Sequence, residues 1–136
     1  MTATGPMTIG IDFGTTNTVV ALSDADGAAH LAVFEAPDGP TATFRSALGF
    51  QSHPGVDGQP PERVVEAGPW AIAAYVEDPL ETRFIQSFKT FAASAAFTET
   101  RIDNRRYAFE DLLAAFLLRL RHHAGDALRA LSLIHI

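Results

Sequence analysis

The chain has 136 residues, a formal net charge of -6, and a composition that is 47% hydrophobic and 19% charged. These values fit one ordered globular domain with its own core rather than a disordered segment. The acidic balance gives no support for nucleic-acid binding, and the lack of cysteine excludes a disulfide framework and thiolate metal sites, in keeping with a reducing cytoplasm.

The start, MTATGPM, has neither a basic region nor an apolar core, so it is no signal peptide, and residues 1–7 read as a flexible lead. Residues 9–23, IGIDFGTTNTVVALS, read as a strand, a tight Gly-Thr-Thr turn and a second strand. Ile9, Ile11 and Phe13 alternate with Gly10, Asp12 and Gly14, giving one apolar face and one small or acidic face. Val19 to Leu22 form a near-continuous apolar run, the pattern of a strand covered on both faces.

Asp12 sits just before the turn, where burial is costly unless it is paired, hydrogen-bonded or near a cation. Gly14 lets backbone and ligand approach closely, Thr15 and Thr16 add hydroxyls, and Asn17 can hydrogen-bond within the turn. Such a turn can hold phosphate oxygens on backbone N–H groups while the carboxylate faces a hydrated metal ion. The plain alternative is a hairpin whose turn is only a turn and whose Asp12 only caps it. The sequences G-x-x-x-x-G-K-[ST] and G-x-G-x-x-G are both absent, which argues against P-loop and dinucleotide-binding folds.

Further along, Asp24-Ala25-Asp26-Gly27 is a turn signal, residues 29–35 read as a third strand, and Pro37, Gly39 and Pro40 interrupt. Residues 43–50 read as a fourth strand, and 51–63, with three prolines and two glycines, as a surface loop. A short strand at 64–67 precedes a helix over 70–76, opened by Pro69 and ended by Asp78-Pro79. Residues 84–93 carry one cation, Lys89, among Phe84, Phe88 and Phe91; residues 98–107 read as a hairpin turning at Asp103-Asn104.

The clearest element is a helix over 109–131, with the stripe Phe109, Leu113, Phe116, Leu117, Leu120, Ala124 and Leu128. Glu110 and Asp111 near its start and Arg119, Arg121 and Arg129 later complement the helix dipole. Arg119, Arg121, His122 and His123 are expected to form a solvated face. The longest apolar run, 112–118, is too short to span a membrane. His30, His53, His122, His123 and His135 show no metal-ligand spacing, and G-x-S-x-G is absent. A metal here would be magnesium, held mainly by water and phosphate, with Asp12 as the nearby anion.

GIDFGTTNTVVAL at residues 10–22 resembles the first phosphate-binding hairpin of the actin-like ATPase superfamily, and most of all that of the DnaK-type heat-shock chaperones. Sugar kinases of the superfamily share a similar G-I-D-x-G-T-T. AIAAYVEDPLETRFIQSFKTFAAS at 71–94, followed by FEDLLAAFLLRLRHHA at 109–124, resembles the YegD-type branch of the chaperone family. Together the resemblance extends over nearly the whole chain, to about Ala130.

The resemblance implies an α/β fold: the N-terminal lobe of an actin-like ATPase (ribonuclease H-like) domain. Its mixed sheet would open with antiparallel hairpins and be followed by a long amphipathic helix. It implies that ATP or ADP phosphates contact Gly14, Thr15 and Thr16, with Asn17 beside them, and that Asp12 orients Mg2+ through water. It also places Lys89 near the γ-phosphate and the attacking water, so that Lys89 and Asp12 carry the catalytic roles. The main chaperones have a Lys-Arg-Leu-Ile-Gly-like run where this chain has Lys89-Thr90-Phe91. Without the resemblance, Lys89 reads as a snorkelling surface lysine among core aromatics.

By the same likeness, residues 8–131 are the N-terminal part of the nucleotide-binding domain. A second phosphate loop and an adenosine-binding segment would lie beyond residue 136, and 132–136 read as a non-native tail. The isolated chain is then expected to bind ATP weakly or not at all, to be inactive, and to expose apolar surface at an open sheet edge. The complete protein is expected to be a cytoplasmic chaperone ATPase acting on unfolded protein clients, with no nucleic-acid or membrane partner. The alternatives are a non-catalytic nucleotide-binding or interaction module and a sugar kinase of the same superfamily.

Overall fold

The structure, a computed structural model, describes residues 8–134, with side chains to residue 127. The expected flexible lead at 1–7, the last two residues of the expected tail with His135, and the side chain of Leu128 lie outside the described residues.

Strands β1 (Thr8–Phe13) and β2 (Asn17–Ser23) form the expected antiparallel hairpin, with Asp12 opposite Val19 and Phe13 opposite Thr18. Burial alternates along β2: Thr18, Val20 and Leu22 are buried, while Val19 and Ala21 are half-buried. The strand is therefore not covered evenly on both faces as its apolar run suggested. β1 is the edge of its sheet, and Ile9 and Ile11 are 54% and 52% exposed.

The strand read over 29–35 is two elements, β3 (Ala29–Leu31) and β4 (Phe34–Ala36). Ala32 still donates its N–H to the Val20 carbonyl at 2.8 Å, but β4 then leaves to pair with β5 (Gly39–Thr41), where the sequence showed only interruption. The strand read over 43–50 divides at Ser46. β6 (Phe44–Arg45) pairs with β2, while β7 (Ala47–His53) enters a second sheet between β8 (Glu62–Ala67) and β9 (Thr82–Gln86). The long loop shrinks accordingly to residues 54–61.

Helix α1 (Gly68–Glu77) starts with Pro69 in its first turn and closes at Asp78, as the sequence signals. Gly68 has φ +60, and a Cβ there would run into the Phe44 ring. A short 3₁₀ helix, Phe88–Ala93, follows β9; neither was visible in the sequence as an element. β10 (Thr100–Ile102) and β11 (Arg105–Tyr107) make the expected hairpin, with positive φ at Asp103 and Asn104. Arg63 fastens it to β8 through Tyr107 Oη at 2.9 Å and the Ile102 carbonyl at 2.8 Å.

The last element is α2 (Phe109–Ile134). Its buried stripe is Leu112, Phe116, Leu120, Ala124 and Ala127; Leu117, expected inside, is exposed, so the true stripe is rotated from the one read in sequence. That rotation overturns half of the expected solvated face. Arg119 pairs with Glu66 of β8, and His123 donates to the same carboxylate at 3.0 Å while stacking on Trp70, ring centroids 3.6 Å apart. Arg121 and His122 remain exposed.

Phe13, Phe44 and Phe88 all pack on Phe116 of α2, at centroid distances of 5.4, 5.6 and 5.5 Å. The fold is thus mixed α/β, antiparallel sheets packed on a C-terminal helix. Every strand pairing among the described residues is antiparallel, so the parallel part of a mixed sheet is not present among them. Among the described residues, no helix is long and apolar enough to cross a membrane.

Burial holds the His123 imidazole below its ordinary pKa of 6.5, outweighing the pull of Glu66 in the other direction. The unfolded chain therefore takes up this proton before the folded one does, and stability falls as pH drops through that value. The thermal midpoint should be lower at about pH 5.5 than at about pH 7.5, and the difference should shrink in His123→Gln. An equal pH dependence in the variant would contradict this account of the cluster.

Candidate functional site

The turn between β1 and β2 is closed by the Gly14 N–H donating to the Asn17 carbonyl at 3.0 Å. A Cβ on Gly14 would lie 2.5 Å from that same oxygen, so the turn needs glycine for close approach. Thr15 and Thr16 are exposed at its tip. Among the described residues, the N–H groups of Thr15 and Thr16 donate to no protein acceptor, which leaves two backbone donors and two hydroxyls without protein partners on exposed residues.

Asp12 is exposed on the edge strand. The burial cost expected from sequence does not arise, because β1 has no neighbour on its outer side among the described residues. Asn17 contributes its carbonyl, not its side chain, to the turn hydrogen bond. It also lines an open cleft of about 440 Å³ with Thr41, Thr43 and Arg45. Arg45 is its cross-strand partner in β6.

Lys89 reaches this turn from 76 residues away: its Nζ donates to the Phe13 carbonyl at 2.9 Å and lies 5.7 Å from the Phe13 ring centroid. The local cause is the neighbour. Phe88 is fully buried against Phe13 and Phe116, so the next residue of the 3₁₀ helix is turned out beside Gly14. Ser87, just before, takes the left-handed conformation (φ 55) that redirects the chain from β9 into this helix. Asp12, Gly14, Thr15, Thr16 and Lys89 thus lie at one end of the β1–β2 hairpin; Asn17 borders them and opens on the adjoining cleft.

Sequence reasoning missed Ser46. It is fully buried where the chain passes from β6 to β7, and all its polar groups are used. Its N–H donates to the Thr16 carbonyl at 2.8 Å and its Oγ to the Gly14 carbonyl at 2.7 Å. Thr18 Oγ1 lies 2.9 Å from Ser46 Oγ, and the Ser87 N–H donates to the Ser46 carbonyl at 3.2 Å. The available signal was a single serine between Phe44-Arg45 and the apolar run ALGF.

Among the described residues, no three His, Asp or Glu side chains gather as a metal-ligand group. No protein-family model matches the chain, and no curated protein sequence matches it.

The close approach at Gly14 makes a direct test of the turn. Gly14→Ala should lower stability by about 1–3 kcal/mol in urea unfolding, whereas Gly10→Ala, with open space around its Cβ, should stay within about 0.5 kcal/mol. Equal effects would show that the turn does not depend on the glycine.

Proposed function

We propose that this chain is the N-terminal part of an actin-like ATPase domain, of the DnaK-type chaperone family and its YegD-type branch, with the Gly-Thr-Thr turn as a nucleotide phosphate site. The observation that carries the reading is the Lys89 ammonium at the Phe13 carbonyl, one residue before Gly14. A snorkelling lysine would be free to point anywhere along the surface. This one is held beside two unpaired amides and two hydroxyls.

The donor set suits a polyphosphate. Backbone N–H groups and hydroxyls bind phosphate oxygens without a charge of their own, and the ammonium supplies the cation that phosphoryl transfer needs beside its equatorial oxygens. Asp12 is the carboxylate at the turn. Magnesium keeps most of its water and is bound through one or two carboxylates plus phosphate, so Asp12 can orient it by hydrogen bonds to that water. When bound, the ion would neutralise charge on the phosphates.

In the working site Thr15 and Thr16 bind, Asp12 orients, and Lys89 shifts from a neutral carbonyl to a phosphate oxygen, a stronger charge-assisted bond. The complete protein would then be a cytoplasmic chaperone ATPase that couples nucleotide turnover to unfolded clients.

The full-length protein should hydrolyse ATP in a magnesium-dependent manner. Asp12→Asn should abolish turnover, and Lys89→Ala should lower kcat by a factor of about 10²–10³. Wild-type turnover in both variants would overturn the assignment of these residues.

A further inference from the structure

We propose that Ser46 is a positioning residue for the phosphate site: its hydroxyl, backed by Thr18, aims the Thr15 amide at the ligand. The inference rests on the phosphate-binding reading of the turn.

A serine hydroxyl has one proton, and here Oγ donates it to the Gly14 carbonyl at 2.7 Å. The 2.9 Å contact with Thr18 Oγ1 must then run the other way, with Thr18 donating to Ser46 Oγ. The result is a two-step relay, Thr18 to Ser46 to the Gly14 carbonyl, with both hydroxyl residues fully buried. Linked hydrogen bonds of this kind polarise one another in a low-dielectric interior.

The consequence for the site follows from peptide geometry. The Gly14 C=O and the Thr15 N–H belong to one planar trans peptide, in which carbonyl and N–H point in opposite directions. Drawing the Gly14 oxygen inward onto Ser46 turns the Thr15 N–H outward, where no protein acceptor meets it among the described residues. The Ser46 N–H holds the far side of the turn, the Thr16–Asn17 peptide, through the Thr16 carbonyl at 2.8 Å. Polarising the Gly14 carbonyl also makes the Thr15 N–H a better donor to an anion.

The Ser46 carbonyl meanwhile accepts from Ser87, two residues before Lys89. One buried serine therefore links the amide donors to the loop that carries the cation. Purely structural burial of a serine would need its hydroxyl satisfied once. The direction of the hydroxyl bond, onto the Gly14 carbonyl of the turn, is what aims the Thr15 donor.

The test compares Ser46→Ala, Ser46→Thr and Thr18→Val in the full-length protein. Affinities for ADP and for adenosine are measured beside the thermal midpoint, and Thr15 is followed by its amide ¹⁵N and ¹H shifts. Ser46→Ala should weaken ADP binding by about tenfold, the effect of losing one well-aimed hydrogen bond, with adenosine affinity unchanged. Ser46→Thr, which keeps the hydroxyl, should restore ADP binding, and Thr18→Val should give a smaller loss of the same kind. ADP and adenosine affinities that fall together, or an ADP affinity that does not change, would overturn the proposal.

A wild-type protein that binds no nucleotide would refute the phosphate reading. The Thr15 shifts then judge the relay itself. Movement in Ser46→Ala with recovery in Ser46→Thr supports it, and unmoved shifts dismiss it.

Discussion

Three phenylalanines share one contact, the ring of Phe116 in the N-terminal half of α2, and each is followed directly by a residue at or next to the candidate site. Phe13 precedes Gly14, Phe44 precedes Arg45 and Ser46, and Phe88 precedes Lys89. All three rings lie 5.4–5.6 Å from Phe116 by centroid distance. Aromatic pairs at such distances bury large areas and gain further from tilted and edge-on geometry. Anchoring each ring in the core therefore places the residue that follows it, Gly14, Arg45 or Lys89, at or beside the same end of the β1–β2 hairpin. The core thus brings together residues that the sequence keeps up to 76 positions apart.

That arrangement divides the work between apolar and polar contacts. The phenylalanine cluster sets position to within a side chain, and hydrogen bonds set orientation. Ser46 turns two peptide planes of the Gly-Thr-Thr turn, and Lys89 closes on the carbonyl that precedes it. The second polar centre, Glu66 with Arg119 and His123, lies further along α2, where the His123 ring is 6.2 Å from Phe44, and joins that helix to β8 and, through Trp70, to α1. It uses the same logic, since a half-buried carboxylate is best tolerated with its partners in place.

Much of this was legible in the sequence, and the part that was not has physical causes. The first hairpin, α1, the Asp103-Asn104 hairpin and α2 each carry a local signal, because turn chemistry, Pro at a helix start and 3.6-residue periodicity act within a few residues. Lys89 could be singled out only through resemblance, since what holds it at Phe13 is tertiary. Ser46 left no recognisable pattern because its partners are carbonyls, which every residue has. The strand divisions at Ala32-Val33 and Ser46 are invisible to alternation counting, as the chain stays extended while it changes sheets. The stripe of α2 was misread by one step because Leu112 and Leu113 are equally apolar. Which of them turns inward depends on where Arg119 and His123 find Glu66.

The central claim is that the β1–β2 turn and Lys89 form one site for the phosphates of a nucleotide. Its most direct test is a crystal structure of the proposed complete ATPase domain with Mg2+ and a non-hydrolysable ATP analogue. The account predicts phosphate oxygens about 3 Å from the Thr15 and Thr16 N–H groups, with Lys89 Nζ moved from the Phe13 carbonyl onto a phosphate oxygen. A nucleotide bound elsewhere, with Lys89 still on Phe13, would contradict it.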